Sequence, residues 1–266
     1  MRARKRFGQH FLHDAQVLQR ITDAVALRSE QRVLEIGPGT GALTEYLVAT
    51  EGTRYTAIEI DRDLVPELQG RFPGLQVINT DVLKVDLQQL LAPTTDGWRV
   101  VGNLPYNISS PLVLKFVQYA HSAPGSIRDM HFMLQKEMAE RMCAQPSTKA
   151  WGRLSVMVQL LAEVEGLFGV SPSSFSPPPK VDSAVVRMQP RAQINLPARL
   201  STLDRVLRQA FSARRKRLSN ALKTLNIDWS VVVAEPQWRA DDVGVAEFVE
   251  IAQWVDEHAA EGIGSL

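Results

Sequence analysis

Val33-Leu34-Glu35-Ile36-Gly37-Pro38-Gly39-Thr40-Gly41 decides the fold. Its first four residues are a short apolar run around a single acid, which reads as a buried strand. Leu43, Tyr46 and Leu47 then recur at helical spacing. Glycines between a strand and a helix let a ligand approach the backbone closely. The spacing is G-x-G-x-G rather than G-x-G-x-x-G, which weakens a dinucleotide reading, and the absence of G-K-[ST] excludes a phosphate-cradling NTPase loop. Pro38 removes one N–H that a pyrophosphate would use. A nucleoside without phosphates fits better, and a purely structural tight turn is the competing reading.

Further strands follow at short intervals. Tyr55–Ile60 is the second, with Glu59 near its end, eighteen residues past Gly41. An acid there can accept from two ribose hydroxyls. Leu75–Asn79 is the third, and Asp81 beyond it can accept from an adenine amine. Glu35, Glu59 and Asp81 thus flank one crevice, although each alone reads equally as a cap or turn residue. Asp14 reads as a helix cap ahead of the stripe Val17, Leu18, Ile21 and Val25, and Asp63 as the cap of a helix through Leu64, Val65 and Leu68. The alternation of strand and helix predicts a doubly wound sheet.

Trp98–Asn103 is the fourth strand, and it delivers Asn103-Leu104-Pro105-Tyr106 onto a loop at its C-terminal end. Pro105 has no N–H to continue the ladder. In open α/β sheets ligands bind at that edge. Tyr106 can stack on a flipped base. The Asn103 side-chain oxygen and a nearby backbone carbonyl can accept both N–H bonds of an exocyclic amine. Such a grip favours a pyramidal nitrogen and aims its otherwise delocalised lone pair at an electrophile. The plain alternative is an Asn–Pro turn with a packed tyrosine. Ser109-Ser110-Pro111 then reads as a cap and first turn of a helix.

Met130–Leu134, Glu163–Val170 and Val181–Met188 complete seven strands. The proline-rich stretch Ser171–Lys180 is stiff and holds Phe175. That ring either walls a base slot opposite Tyr106 or fills a gap in the core. Pro190–Pro197 reads as a linker, and only helical patterns follow it. Two domains are expected, residues 1–192 with a basic N-terminal arm and residues 193–266.

The chain has 266 residues, 45% of them hydrophobic and 22% charged, as in a soluble globular protein. No apolar run is long enough to span a membrane, and Met1–Arg6 does not lead into a signal core. The one cysteine, Cys143, excludes a disulfide framework and fits a reducing cytoplasmic setting. No metal is called for, and a monomer is expected. Net charge is only +1, but it is segregated. Arg2, Arg4, Lys5, Arg6 and Arg20 face Asp14 in the first twenty residues, and Arg214, Arg215, Lys216 and Arg217 form a cluster at a helix junction. Residues 225–266 hold nine acids and one base. A polyanionic partner fits this pattern, with the arginines on phosphates. The residues alone therefore point to one-carbon transfer onto a base amine in nucleic acid. S-adenosylmethionine is the natural donor, and DNA and RNA stay open.

The chain also resembles a known family, the adenine N6,N6-dimethyltransferases of small-subunit ribosomal RNA. The resemblance rests on Gly8–Leu12, Glu35–Gly41, Glu59-Ile60-Asp61, Asn103–Pro111, Gln135–Arg141, Gly152–Val156, Phe175–Val186 and Phe211–Lys216. It implies a Rossmann-like, mostly parallel seven-stranded methyltransferase sheet with a smaller all-helical C-terminal domain that contacts RNA. Gly37 and Gly39, Glu59 on ribose, Asp81 on adenine and Asn103 would bind S-adenosylmethionine, covered by His10 and Leu12. Asn103 and the Leu104 carbonyl would hold the target N6, and Tyr106 and Phe175 would flank the base. The implied substrate is two adjacent adenosines in a 3′-terminal hairpin of 16S RNA, within a small-subunit precursor during ribosome biogenesis. Trp151 stands where tyrosine is usual, and Ser171 where proline is usual. The related type that methylates one adenine of 23S RNA and confers antibiotic resistance, and a non-catalytic assembly or transcription factor on the same fold, are the alternatives.

Overall fold

The computed structural model describes residues 9–92, 94–192, 194, 196 and 198–258. The basic arm Arg2–Arg6 lies outside the described residues. The chain forms two compact units. The first runs to Ala139 and resumes over Ala162–Ala192; the second comprises Glu140–Leu161 and the chain from Gln193 onward.

The first unit begins with β1 (Phe11–Leu12) and α1 (Ala15–Val25). The Asp14 carboxylate accepts from the N–H groups of Gln16 and Val17 at 3.0 and 3.3 Å, so the expected cap forms. Val17, Leu18, Ile21 and Val25 are the buried stripe. Then come β2 (Arg32–Ile36), α2 (Ala42–Val48), β3 (Arg54–Glu59), α3 (Val65–Arg71), β4 (Gln76–Asn79) and α4 (Leu87–Leu90). β5 (Trp98–Asn103), α5 (Ser109–Ser122) and β6 (Ile127–Gln135) follow. α6 (Lys136–Cys143) and α7 (Arg153–Leu161) lead to β7 (Ala162–Val170), β8 (Phe175–Ser176) and β9 (Ser183–Pro190).

The seven-stranded sheet has the order β4-β3-β2-β5-β6-β9-β7. β4, β3, β2, β5 and β6 pair in parallel, while β9 is antiparallel to both β6 and β7. Parallel strands in such a sheet are covered on both faces, and β2, β3 and β5 are buried along nearly their whole length, with Glu35, Glu59 and Arg99 as buried charged members. The chain winds outward from β2 to β4, then returns to the other side of β2 as β5. That reversal opens a crevice at the carboxyl ends of β2 and β5.

Two local expectations change. Leu64, not Asp63, is the N-cap of α3, and the Asp63 N–H donates to Asp61. α5 begins at Ser109 itself, whose hydroxyl donates to the Pro105 carbonyl at 2.8 Å. Ser171, standing for the usual proline, caps the following turn by accepting from the Ser173 N–H.

The second unit combines α7 with α8 (Leu200–Ser212), α9 (Leu218–Ala221) and α10 (Val245–His258). α8 buries Leu203, Val206, Leu207 and Ala210, and α10 buries Phe248, Ile251, Ala252 and Val255. The sequence boundary near residue 192 divides the chain once, whereas Glu140–Leu161 also belongs to the helical unit. Side-chain bonds show why. The Trp151 indole N–H donates to the Val243 carbonyl at 3.0 Å, and Arg153 pairs with Asp204 at 2.5 Å. The first crossing falls inside α6, where no proline or glycine marks it.

Gly102 fixes how close β5 runs to β2. It pairs with Ile36, and a Cβ at 102 would lie 2.6 Å from the Ile36 carbonyl oxygen and 3.1 Å from its Cβ. Neither atom is the end of a flexible side chain. Gly102→Ala is therefore expected to destabilise the protein by about 1–3 kcal/mol through overpacking and to weaken nucleoside binding by displacing the crevice wall. Denaturant unfolding with and without S-adenosylhomocysteine checks both effects.

Candidate functional site

The crevice carries a cavity lined by the segments that the sequence singles out. The glycine loop, the ends of β3 and β4, the loop after β5 and residues Gln9–Leu12 all border it. Gly37, Gly39 and Gly41 have φ of 66°, 59° and 82°, a left-handed backbone that other residues adopt at a cost. A Cβ at Gly37 would meet nothing nearer than the Asn103 carbonyl oxygen at 3.9 Å, so the loop faces open space there. At Gly39 a Cβ would press on the Phe11 ring at 3.0 Å.

Glu59 is buried at the end of β3. Its carboxylate accepts from Gly39 N–H at 3.1 Å and from Asp61 N–H at 2.8 Å, one bond on each oxygen. A carboxylate offers about four lone-pair sites, so these bonds orient the group and leave acceptors for two hydroxyls. Burial raises its pKa, against those two hydrogen bonds. Asp81 caps the turn Val82–Lys84 by accepting from the Leu83 N–H at 2.9 Å and borders the cavity.

Glu35 is more deeply buried. It accepts from the Thr44 hydroxyl at 2.6 Å and the Tyr55 hydroxyl at 2.9 Å. Desolvation outweighs these bonds and pushes its pKa up to about 7. Among the described residues, no lysine or arginine lines the cavity. An acidic crevice without basic partners among the described residues suits a cationic or neutral nucleoside better than a pyrophosphate.

The Asn103 Nδ2 donates to the His10 carbonyl at 2.9 Å. A carbonyl only accepts, so this bond fixes the amide orientation and leaves Oδ1 as the acceptor. The turn after it closes on Pro105: the Ile108 N–H and the Ser109 hydroxyl both reach the Pro105 carbonyl, not that of Leu104. Tyr106 shares a 2.8 Å hydrogen bond with the Ser183 hydroxyl and stacks on His10, ring centroids 5.7 Å apart. His10 is itself held, donating from Nδ1 to the Pro177 carbonyl at 2.7 Å. Leu12 is 7% exposed and lines the cavity from the N-terminal side.

Phe175 does not join this group. It pairs with Leu12 across the β1–β8 ladder, is 3% exposed and lies in the hydrophobic core with Val17, Leu18 and Val170. Along β8 Phe175 is buried and Ser176 exposed, so the ring lies on the inner face of the ladder beside Leu12. In this structure the ring is packed in the core and is not among the residues that line the cavity.

The family model described as "Ribosomal RNA adenine dimethylase" matches residues 1–257. The chain belongs to the ribosomal RNA adenine dimethylase family. It is 49% identical over 263 residues to "Ribosomal RNA small subunit methyltransferase A" of Pseudomonas aeruginosa, covering 96% of each chain. The protein of that name from Pseudomonas syringae is 48% identical over 262 residues, again with 96% of each covered. Among solved structures, a dimethyladenosine transferase from Plasmodium falciparum superposes with a TM-score of 0.76 at 28% identity, covering 95% of this chain and 98% of that one. The 23S rRNA methyltransferase ErmE gives a TM-score of 0.64 at 25% identity, with 92% and 99% covered. A ribosomal RNA adenine dimethylase uses S-adenosylmethionine, and the donor set fits it: Glu59 with spare lone pairs, Asp81 beyond β4, open space over Gly37 and, among the described residues, no lysine or arginine in the lining.

The basic cluster divides in the structure. Arg214 is committed to the helical unit, donating to the carbonyls of Thr148 at 3.2 Å and Lys149 at 2.8 Å and pairing with Asp241 at 2.5 Å. Arg215, Lys216 and Arg217 are exposed. The sequence does not separate the first arginine from the rest, because its partners lie 27 or more positions away.

Two outcomes follow. Neutralising Arg215, Lys216 and Arg217 together should flatten the salt dependence of RNA binding by roughly 2 in log–log slope, while Arg214→Ala should leave that slope and lower the melting temperature. Filter binding across a salt series and thermal unfolding separate them. Glu35 makes a pH signature. Its folded pKa of about 7 exceeds the ordinary 4.5, so the native state binds more protons between these values and loses stability as pH rises through them. His131, which burial lowers to about 4, acts in the opposite sense between pH 4 and 6.5. Glu35→Gln isolates the acid: relative to the parent it should gain on the order of 2–3 kcal/mol between pH 4.5 and pH 8, read by urea unfolding at the two pH values.

Proposed function

We propose that the chain transfers methyl groups from S-adenosylmethionine to N6 of two adjacent adenosines in a 3′-terminal hairpin of 16S ribosomal RNA, giving two N6,N6-dimethyladenosines during small-subunit assembly. Family membership and near-half identity to the small-subunit methyltransferases support the reaction and the substrate. Identity falls to 25% for the 23S enzyme of the same fold, which favours the small-subunit type. A bacterial enzyme of this kind meets its substrate in the cytoplasm. The observation that carries the chemistry is the Asn103 amide, turned by its bond to His10 so that Oδ1 is the acceptor at the mouth of the crevice.

S-adenosylmethionine supplies, when bound, a methyl group on a sulfonium centre. The chain does the rest by placement. Glu59 takes the ribose hydroxyls and Asp81 the adenine amine, while Gly37 and Gly39 let the remainder lie against the backbone. His10 and Leu12 cover that pocket. Asn103 Oδ1 and the Leu104 carbonyl accept the two N–H bonds of the target N6 and direct its lone pair into the crevice. Tyr106 supplies an aromatic face for the flipped base. Its hydroxyl is bonded to Ser183 and its pKa is raised by burial, so it stays protonated and orients the ring. The nitrogen that has accepted a methyl is strongly acidic and releases its proton to water, so no side-chain base is required. Alignment and the carbonyl acceptors provide the rate. Arg215, Lys216 and Arg217 hold RNA phosphates.

Labelled S-adenosylmethionine, immature small subunits lacking this modification and mass-spectrometric mapping test the assignment. Two neighbouring dimethyladenosines near the 3′ end are expected. A single modified adenine on 23S RNA would overturn it. Asn103→Ala should lower kcat on the order of a hundredfold or more with S-adenosylhomocysteine affinity kept within about twofold. Equal losses in both would remove the amine-grip role.

A further inference from the structure

Lys115 has no part in the readings above. It lies on α5, and its Nζ donates to the carbonyls of Val85 at 2.6 Å, Leu83 at 2.7 Å and Val82 at 3.2 Å. An ammonium has three donors and no acceptor, so these carbonyls match it one for one. They belong to the short turn Val82–Lys84 and the residue after it. A single 3₁₀ turn satisfies few of its own carbonyls; here the Val85 N–H returns to Val82 only at 3.4 Å. Without Lys115, the Leu83 and Val85 carbonyls would lose this donor and the Val82 carbonyl would keep only the long bond from the Val85 N–H.

The same turn forms the far wall of the cavity. Asp81 caps it through the Leu83 N–H, and Asp81 and Val82 both line the crevice. Leu83 is thus held from two sides, its N–H by Asp81 and its carbonyl by Lys115. At its other end α5 is tied to the base-holding loop, where the Ser109 hydroxyl donates to the Pro105 carbonyl at 2.8 Å. One helix of fourteen residues therefore touches both halves of the site.

We propose that Lys115 is a positioning residue for the adenosine half of the cofactor: it pins the Asp81–Val82 turn to α5 and so sets where the Asp81 carboxylate meets the adenine amine. The proposal rests on Asp81 as that acceptor. Lys115 itself is not among the residues that line the cavity. The side chain acts through three backbone carbonyls, so any residue that cannot donate to them loosens the turn.

The test is purine discrimination. S-adenosylhomocysteine and S-inosylhomocysteine differ at purine position 6, an amine in one and a carbonyl in the other, so their Kd ratio reports the Asp81 contact. Calorimetry on the parent should give a ratio of about ten or more, as expected for a hydrogen bond to a charged acceptor. Lys115→Met should weaken the adenosine ligand about tenfold, leave the inosine ligand nearly unchanged and bring the ratio toward one. Lys115→Arg should restore most of it. In turnover, Lys115→Met should raise KM for S-adenosylmethionine with kcat within about twofold. A lower melting temperature with an unchanged ratio would overturn the proposal and leave Lys115 merely structural. If Lys115→Met does not fold, Lys115→Gln, whose shorter side chain brings two donors to three carbonyls, should give a ratio between the parent's and one, and an unchanged ratio would overturn the proposal. Asp81→Ala separates the two layers. An unchanged ratio in Asp81→Ala removes the adenine reading and the proposal with it. A collapsed ratio there, beside an unchanged one in Lys115→Met, removes only the role of Lys115.

Discussion

The site depends on how closely β5 approaches β2. Ile36 and Gly102 are paired, and the missing side chain at Gly102 lets the two backbones lie flush at the point where the sheet order reverses. The next residue on one strand is Gly37 and on the other Asn103. The cofactor loop and the base loop therefore start side by side, with the Asn103 carbonyl oxygen 3.9 Å from where a Gly37 side chain would begin. Two ligands approached from these two loops are in reach of each other by construction. Much of the entropy of bringing a methyl donor to a base is thus met by the strand register. The flanking segments refine this placement rather than create it.

Charge then selects the ligand. Three acids border or underlie one crevice, and among the described residues no arginine or lysine lines it. Each acid is oriented by protein donors: Glu35 by two hydroxyls, Glu59 by two backbone N–H groups and Asp81 by one. These bonds do not cancel the desolvation of Glu35 and Glu59, whose pKa values stay raised. A cation nearby relieves such a site, whereas a pyrophosphate would add repulsion to it. The basic residues cluster instead in the helical unit, where Arg215, Lys216 and Arg217 are exposed. Separate surfaces thus suit a cationic nucleoside and a polyanion.

Much of this was legible because it depends on local chemistry. Val33–Ile36 before a glycine loop, the Asp14 cap with its stripe, and Pro105 ending a strand each follow from neighbours in sequence. What was not legible depends on distant pairing. Phe175 looks like an isolated aromatic in a stiff loop, yet it is buried beside its antiparallel partner Leu12, 163 positions away. Arg214 looks like its basic neighbours until Thr148, Lys149 and Asp241 claim it. The Glu140–Leu161 segment joins the helical unit through Trp151 and Arg153, whose partners are 92 and 51 positions on. Lys115 carries no sequence signal, since a lysine on a helix reads as solvated charge until three carbonyls appear around it.

Two successive methylations at one nitrogen place a further demand on the base loop. The unmodified amine has two N–H bonds for two acceptors; after the first transfer it has one. One acceptor must then lose its hydrogen bond beside a methyl group. A carboxylate left that way would keep a charge without a partner, which is costly in a partly buried site. The acceptors proposed here are both neutral, an amide oxygen and a backbone carbonyl, and a neutral hydrogen bond contributes only about 1 kcal/mol net. Leaving one of them unpaired therefore costs less than leaving a carboxylate unpaired, while the other still directs the lone pair. The Asn103 amide has a second consequence. Its Nδ2 is spent on the His10 carbonyl, so the side chain keeps its orientation whichever N–H the target retains. Asparagine at this position thus serves both transfers with one geometry, which an aspartate of the same shape would not.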